Sequence, residues 1–205
     1  MSSQSTSTAP RNAPIPARTA SAHLPRTGVL TPEERSTRTV WLEGEVNSKS
    51  SVALMRKLDA LEALDSTRPV ILCIDSPGGV IDAGMAIADT ITHLKVPVYA
   101  WVRGIAASMG AVILAVCEKG HRYALPSSRV LLHQPLGGNG GPTEDMIIRG
   151  KVILQMKEDL LRLLAERTGK PYEQVVADCD RDHWMKAPEA LAYGIVDHIG
   201  RPGAV

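Results

Sequence analysis

The chain has 205 residues, of which 44% are hydrophobic and 22% charged, and its formal net charge is +1. This length and composition fit one soluble globular domain, and a nearly neutral chain without a basic stripe is not expected to bind nucleic acid. No apolar run approaches the roughly 18 residues of a membrane-spanning helix, so we expect no membrane partner.

The start of the chain differs in composition from the rest. Residues 1–31 contain no Asp or Glu, three Arg, and many Ser, Thr and Pro. Such a segment cannot bury enough apolar surface to fold, so we expect a disordered or processed extension over 1–36. Its Arg- and Ser-rich, acid-free composition also fits an organellar transit segment, which is the alternative interpretation. The folded domain is predicted over 37–200, with a tail at 201–205.

Strands and helices alternate along the folded domain. We predict, in chain order, a strand at 38–42, a helix capped by Asn47 or Ser48, a strand at 69–74, a turn at 75–79, a helix at 80–94, a strand at 96–102, a helix after Ser108, short strands at 122–125 and 130–133, and a last short helix that Gly194 ends. The first strands are short and apolar, as buried strands of parallel sheets are. Their alternation with helices indicates βαβ units with right-handed crossovers, and hence an α/β fold.

A long helix is predicted from Glu144 to Arg167, after the glycine-rich segment 137–141. Its apolar residues recur on one side at helical spacing: Ile148, Val152, Met156, Leu160, Leu163 and Leu164. We expect a helix of this length to project from the domain. Its apolar side then needs a partner, which predicts oligomerisation.

The cysteines give no sign of a metal site. Cys73, Cys117 and Cys179 are odd in number, widely spaced and without a CxxC pair. They indicate neither zinc nor a disulfide framework, and we expect no metal or other cofactor. Free cysteines are typical of a reducing compartment, which favours a cytoplasmic protein.

Ser108 lies where a predicted strand gives way to an apolar helix, in the segment Gly104-Ile105-Ala106-Ala107-Ser108-Met109-Gly110-Ala111. Its small neighbours let another chain approach closely, and its oxygen lies at the positive end of a helix dipole. A serine at a helix start is commonly only a cap, and it becomes a nucleophile only with a base and a group that orients the base. His133 and Asp182, farther along the chain, supply both residue types, so we predict a Ser–His–Asp triad.

Backbone donors for a developing oxyanion are predicted at two places. Gly78 and Gly79 follow a buried strand and open a helix, where amides without a neighbouring Cβ can face a substrate. The amide of Met109, directly after the candidate nucleophile, would be the second donor. A Pro-Gly-Gly string also fits a tight, closely packed turn, so the glycines alone are weak evidence. The sequence has neither a GxGxxG motif nor a Walker lysine, which argues against nucleotide binding.

These motifs resemble the family of Clp protease proteolytic subunits, the serine peptidase ClpP, over about residues 40–199. The intervals of 25 residues from Ser108 to His133 and 49 residues from His133 to Asp182 are also similar to the family's. The strings that carry the resemblance are Asp75-Ser76-Pro77-Gly78-Gly79-Val80, Ala106-Ala107-Ser108-Met109-Gly110-Ala111, Leu132-His133-Gln134-Pro135-Leu136-Gly137-Gly138, Arg181-Asp182, Ala187-Pro188-Glu189-Ala190 and Tyr193-Gly194-Ile195-Val196-Asp197.

The resemblance implies a ClpP/crotonase-like α/β fold with βαβ repeats, a head domain and a projecting handle helix at about 139–167. Subunits of this kind form heptameric rings, and two stacked rings, a tetradecamer, would enclose a chamber. Arg181 resembles the family's ring-contact arginine, which couples stacking to alignment of the triad. An AAA+ unfoldase of the Clp type would feed unfolded polypeptide into the chamber and use the ATP, so this chain would bind none.

The same resemblance implies a role for each residue of the candidate site. Ser108 would attack the peptide carbonyl, His133 would act as base and then as acid, and Asp182 would orient His133. The amides of Gly79 and Met109 would hold the oxyanion.

The sequence departs from the family pattern at the pocket where an unfoldase docks. That pocket is apolar and often aromatic in the family, and the matching positions here are Cys73, His93, Arg103, Tyr123 and Leu125. A cation and a histidine weaken an apolar pocket, because desolvating them costs free energy. One hypothesis is that this subunit docks unfoldases poorly and that a paralogous ring of a mixed tetradecamer docks them. The other is that the pocket tolerates these changes.

Two other functions stay open at this point. The subunit could be a ring partner or regulatory paralogue that is active, or docked to an unfoldase, only in a mixed tetradecamer. Homo- and hetero-oligomers are therefore both considered. A crotonase-type acyl-CoA enzyme has the same fold and also uses two backbone amides as an oxyanion hole, but typically with carboxylate acid–base residues in place of a Ser/His pair.

Overall fold

The computed structural model describes residues 32–135 and 141–203. The predicted extension over 1–31, most of the glycine-rich segment before the long helix and the end of the predicted tail lie outside these described residues. Among the helices in the described part of the chain, none combines the length and the apolar character needed to cross a membrane.

The described strands form one mixed sheet in which parallel pairs predominate. The strands are β1 Thr39–Val46, β2 Val70–Gly79, β3 Val98–Ala107, β4 Arg122–Ala124, β5 Arg129–Leu132, β6 His183–Lys186 and β7 His198–Ile199. The order across the sheet is β1-β2-β3-β4-β7, and β5 pairs with the carboxyl end of β3. All of these pairs are parallel, whereas β6 lies antiparallel to β5. The predicted α/β fold with a parallel sheet is therefore confirmed.

The helices alternate with the strands as predicted. They are α1 Pro32–Thr37, α2 Ser48–Leu64, α3 Ile81–His93, α4 Met109–Val116, α5 Thr143–Thr168, α6 Tyr172–Asp178 and α7 Ala187–Tyr193. Asn47 is the cap of α2, since its side chain accepts hydrogen bonds from the amides of Lys49 and Ser50. The predicted long helix is confirmed as α5, which has 26 residues. α7 ends at Gly194, whose φ of 87° is the left-handed conformation that glycine adopts easily.

The prediction did not include α6, β6 or β7, and the strand predicted at 96–102 continues as β3 to Ala107. Two further segments also differ from the prediction. α1 lies within the segment predicted as an extension, where Pro32 at the first helical position and Glu33 in the first turn favour a helix start. The predicted turn at 75–79 is wrong, because β2 continues through Gly79. The strand stays paired there with β1, after a register shift that leads to the pairs Glu45–Gly78 and Val46–Gly79.

The core is almost entirely aliphatic, as expected for a chain that contains no Phe. It lies between one face of the sheet and helices α2, α3, α4 and the second half of α5. Every residue of α4 is buried, so the helix that follows the candidate nucleophile is fixed from all sides. In α5 the buried leucines belong to residues 160–164, whereas most apolar side chains of the first half are exposed: Met146, Ile147, Ile148, Val152 and Leu154.

Candidate active site

Ser108 occupies the sharp turn between β3 and α4. Its φ of 54° and ψ of −122° make it the one non-glycine residue with positive φ in the described part of the chain. The backbone around it is held on both sides. Its N–H donates to the carbonyl oxygen of Leu131 at 3.0 Å, and its own carbonyl oxygen accepts from the amides of Ala111 and Val112. A strained turn of this kind presents a serine hydroxyl at the end of a strand and the start of a helix.

His133 is brought to Ser108 by strand pairing. The parallel pair of β3 and β5 matches Ala107 with Leu131, so both strands end at the same edge of the sheet. Ser108 and His133, both half-buried, line one pocket. The rest of its lining is apolar: Ile81, Met109, Val112, Leu132, Pro135, Leu160, Leu161 and Leu164.

Asp182 is placed by the antiparallel pairing of β5 and β6. The last matched pair is Leu132 with His183, so the next residues along the two strands, His133 and Asp182, lie opposite each other. Asp182 is exposed, and within residues 32–135 and 141–203 no hydrogen bond joins its side chain to His133 or that of His133 to Ser108. The single chain therefore brings the serine and the histidine into one pocket and leaves the aspartate at its outer side.

The two glycines lie directly beside the serine turn. A Cβ on Gly78 would lie 2.6 Å from Cβ of Ser108 and 2.8 Å from the amide nitrogen of Met109, so only glycine fits there. The amide of Gly78 donates to Oγ of Ser76 at 3.1 Å, and that of Val80 donates to the carbonyl oxygen of Val46 at 2.8 Å. Because successive amides of a strand point to opposite edges, the amide of Gly79 between them faces away from β1. Met109 is the first residue of α4, where amides have no partner within the helix.

Gln134 joins the site to its surroundings, and the sequence prediction did not assign it a role. Its amide donates to the carbonyl oxygen of Cys179 at 2.7 Å, and Nε2 donates to the carbonyl oxygen of Asp180 at 3.1 Å. Its Oε1 accepts from Nζ of Lys157 on α5 at 2.9 Å. Gln134 therefore ties the residue after His133 both to the segment before Asp182 and to the long helix. Its position directly after the candidate base was the only signal in the sequence.

A comparison with known protein families shows to which family this chain belongs. The family model described as Clp protease matches residues 32–203, which spans every residue that the structure describes. The chain belongs to the Clp protease family. Three relatives are each 46% identical to it over 164 residues, covering 80% of this chain and 82% of the relative. They carry the name ATP-dependent Clp protease proteolytic subunit 1, one from Mycobacterium bovis and two from strains of Mycobacterium tuberculosis.

In this Clp protease chain, the residue predicted as a ring contact lies at the surface. The side chain of Arg181 is 92% exposed, and its Nε lies 3.6 Å from a carboxylate oxygen of Asp180. An exposed ion pair of this kind contributes little to the stability of a single chain. Arg181 is therefore free to contact another subunit.

The predicted docking positions lie mainly on the sheet face opposite the core. Trp41, Cys73, Trp101 and Tyr123 are matched across four adjacent strands, and we call these four residues the sheet row. Arg103 places its guanidinium 4.8 Å from the ring centroid of Trp41 and 4.6 Å from that of Trp101. Tyr123 and, just after β4, Leu125 are half-buried. His93 instead ends α3, where it is exposed and its Nδ1 lies 2.8 Å from the carbonyl oxygen of Asp89.

Cys73 is the fully buried member of the sheet row. Its side chain is fully buried, and burial raises the pKa of the thiol to about 11, although the nearby Arg103 acts in the opposite direction. The thiol therefore stays neutral and apolar at physiological pH. The polar character of this surface comes from Arg103 above the row.

Proposed function

We propose that this chain is a serine endopeptidase subunit of a chambered, ATP-dependent Clp-type protease that hydrolyses peptide bonds of unfolded proteins. The observation that carries the proposal is the strained turn at Ser108, at the start of a buried helix and in one pocket with His133. The family match supports hydrolysis rather than acyl-CoA chemistry of the crotonase type.

In the proposed mechanism the residues of the site act in two half-reactions. Oγ of Ser108 attacks the peptide carbonyl carbon while His133 takes the hydroxyl proton. The carbonyl oxygen becomes negative and accepts hydrogen bonds from the amides of Gly79 and Met109. His133 then gives the proton to the leaving amine, and a water, activated in the same way, releases the acyl group from Ser108. Asp182 orients His133 and stabilises its cationic form.

The lining of the pocket supports an apolar substrate side chain beside the scissile bond. Leu160, Leu161 and Leu164 from α5, together with Ile81 and Val112, surround the serine and the histidine. Burying an apolar side chain against them is favourable, whereas a charged side chain would lose its hydration without a partner.

Covalent labelling of the purified protein tests the proposal. We expect a fluorophosphonate to add once per subunit at Ser108, and a short fluorogenic peptide to be hydrolysed. Ser127→Ala, which changes an exposed serine, should label to the same extent. Peptide mapping and intact mass measure the site and the stoichiometry. Labelling at another serine, or labelling that persists in Ser108→Ala, would contradict the proposal.

The exposed position of Asp182 supports a second candidate, a subunit that is active only with a partner ring. His133 and Asp182 lie opposite each other in register, but among the described residues no hydrogen bond joins their side chains. In this candidate Arg181, next in sequence and exposed, would contact a stacked ring and move Asp182 toward His133. Peptide hydrolysis that appears only after a paralogous subunit is added would favour this candidate over the first.

The proposed assembly consists of two stacked heptameric rings of the same or of paralogous subunits. The exposed apolar side chains in the first half of α5 support a contact there, since an apolar surface of this kind gains free energy when a partner covers it. The partner that supplies substrate would be an AAA+ unfoldase, which uses the ATP. We place the protein in the cytoplasm, because its three cysteines are free and buried and need no oxidising compartment.

Arg103 is expected to weaken docking of a Clp-type unfoldase to this subunit. Its guanidinium lies over both tryptophans, so an apolar partner would have to displace a cation that each ring attracts. We expect Arg103→Ala to bind the unfoldase at least several-fold more tightly than the unmodified chain, as measured by biolayer interferometry on assembled rings. Arg129→Ala, which removes another exposed arginine, is the control and should not change the affinity. Equal or weaker binding by Arg103→Ala would show that the pocket tolerates the arginine.

A further inference from the structure

Ser76 lies at the point where the regular pairing of β2 breaks on both edges. Toward β1 the register shifts between Glu43 and Glu45, and toward β3 it shifts between Ile74 and Ser76. Ser76 is fully buried, and it is one of few buried polar side chains in the described residues. A buried hydroxyl needs hydrogen-bond partners, and at a bulge these partners identify the backbone segments that the hydroxyl fixes.

The hydroxyl of Ser76 bridges two backbone segments. Its Oγ donates to the carbonyl oxygen of Gly44 at 2.6 Å and accepts from the amide of Gly78 at 3.1 Å. Gly44 has a φ of 72° and is the residue at which β1 shifts register. Gly78 has a φ of 89°, so both ends of the bridge have positive φ values that a regular strand does not have.

The bridge also lies against the serine turn. A Cβ on Gly110 would lie 3.1 Å from the carbonyl oxygen of Ser76, so the first turn of α4 packs directly on this residue. Gly78 in turn contacts Ser108 and the amide of Met109. The hydroxyl of Ser76 accepts a hydrogen bond from the amide of Gly78, which fixes the Pro77–Gly78 peptide plane, one peptide before the plane that carries the amide of Gly79.

We propose that Ser76 is the positioning residue of the oxyanion hole. Its two hydrogen bonds hold the Gly78–Gly79 backbone so that the amide of Gly79 points at the carbonyl oxygen that Ser108 attacks. Ser76 touches neither the substrate nor the reacting atoms, and it acts through the glycine backbone. This inference rests on the proposed peptidase function.

Kinetics of Ser76→Ala test this role. Removal of an oxyanion donor typically lowers kcat by 10²–10³-fold, and a donor that is only loosened should lose less. We expect kcat for a short peptide to fall roughly 10- to 100-fold with KM within about twofold, because the donor acts on the transition state and not on the bound substrate. Inhibition by a peptide boronate, which forms a tetrahedral anion on Ser108, should weaken by a similar factor.

Ser128→Ala is the matched control. Ser128 is also buried, and its hydroxyl donates to the carbonyl oxygen of Val102 at 2.9 Å, so its bond holds β3 and not the glycine segment. We expect it to lower the melting temperature as Ser76→Ala does but to leave kcat unchanged. If Ser76→Ala does not assemble, Ser76→Cys decides, since a thiol has the same connectivity as the hydroxyl, with a larger atom, and forms weaker hydrogen bonds. Ser76→Cys should assemble, and its kcat should lie between that of the unmodified protein and the value expected for Ser76→Ala.

The outcomes separate this inference from the proposed function. A kcat of Ser76→Ala, or of Ser76→Cys if only that variant assembles, within about threefold of the unmodified protein overturns the positioning role. So does an equal loss of kcat in Ser128→Ala. An unmodified protein that neither hydrolyses peptide nor is labelled at Ser108 overturns both proposals.

Discussion

Replacement of Ser108 by alanine is expected to lower kcat for peptide hydrolysis by roughly 10⁵- to 10⁶-fold, with the assembly intact. The hydroxyl is the only atom group that the substitution removes, and the backbone hydrogen bonds of Ser108 to Leu131, Ala111 and Val112 do not involve it. Hydrolysis of a fluorogenic peptide and native mass spectrometry measure the two effects. Ser127→Ala should retain full activity, and a comparable loss in that variant would contradict the assignment of Ser108.

A second substitution at the same position separates catalysis from folding. With φ at 54°, Ser108 has a backbone conformation that costs a non-glycine residue about 1–3 kcal/mol. Glycine avoids this cost but loses up to about 1 kcal/mol more conformational entropy on folding. We therefore expect Ser108→Gly to be as inactive as Ser108→Ala and about 1 kcal/mol more stable than it in chemical denaturation. A glycine variant less stable than the alanine variant would mean that the turn is not strained.

The serine turn and its partner histidine were predictable because they depend on local rules. An apolar strand followed by an apolar helix gives the turn at Ser108, and parallel strands end at one edge of a sheet, which brings His133 close. The closeness of Asp182 depends on β6, a four-residue strand of mixed polarity with no clear pattern of its own. Its antiparallel register with β5 is a tertiary property, so the sequence predicted the residue type and not the geometry.

The bulge in β2 shows why the glycine segment was misread. A Pro-Gly-Gly string favours a turn by local propensity, and nothing near it in sequence opposes that interpretation. The strand continues because Ser76 and Val80 bond to Gly44 and Val46 of β1, about thirty residues earlier in the chain. Such long-range backbone pairing overrides propensity, and it is also what positions the candidate oxyanion donors.

The same limit applies to a buried ion pair, Arg122 with Asp197, which no sequence pattern indicated. Arg122 is 1% exposed, and it forms two hydrogen bonds to the carboxylate of Asp197, from Nε at 2.8 Å and from a terminal nitrogen at 2.6 Å. The remaining donors reach the carbonyl oxygens of Arg167 at the end of α5 and Gly194 at the end of α7. The amide of Gly120 also donates to the carboxylate. This pair therefore joins β4 to the ends of two helices.

Removal of the carboxylate should destabilise the fold strongly. Asp197→Ala leaves a buried guanidinium without its counter-charge, and breaking a buried pair in this way typically costs about 3–5 kcal/mol. We expect a loss of that order in the free energy of unfolding, measured by chemical denaturation. Glu158→Gln is the control, because the ion pair of Glu158 with Arg162 is exposed and should contribute little. Equal losses of unfolding free energy in the two variants would mean that the buried ion pair stabilises the fold no more than the exposed one.

The acid dependence of stability gives an independent test of the same ion pair. Burial alone raises the pKa of Asp197, but the hydrogen bonds and charge of Arg122, with the amides of Arg122 and Gly120, outweigh it and hold that pKa below its usual value. A carboxylate whose pKa is lower in the folded state stabilises the fold above the pKa of about 3.9 in the unfolded chain, and this contribution is lost as pH falls through the folded value. The stability difference between the unmodified protein and Asp197→Asn should therefore be constant above about pH 5 and shrink as the pH falls below about 4. A difference that stays constant down to pH 3 would mean that Asp197 is not the group that titrates.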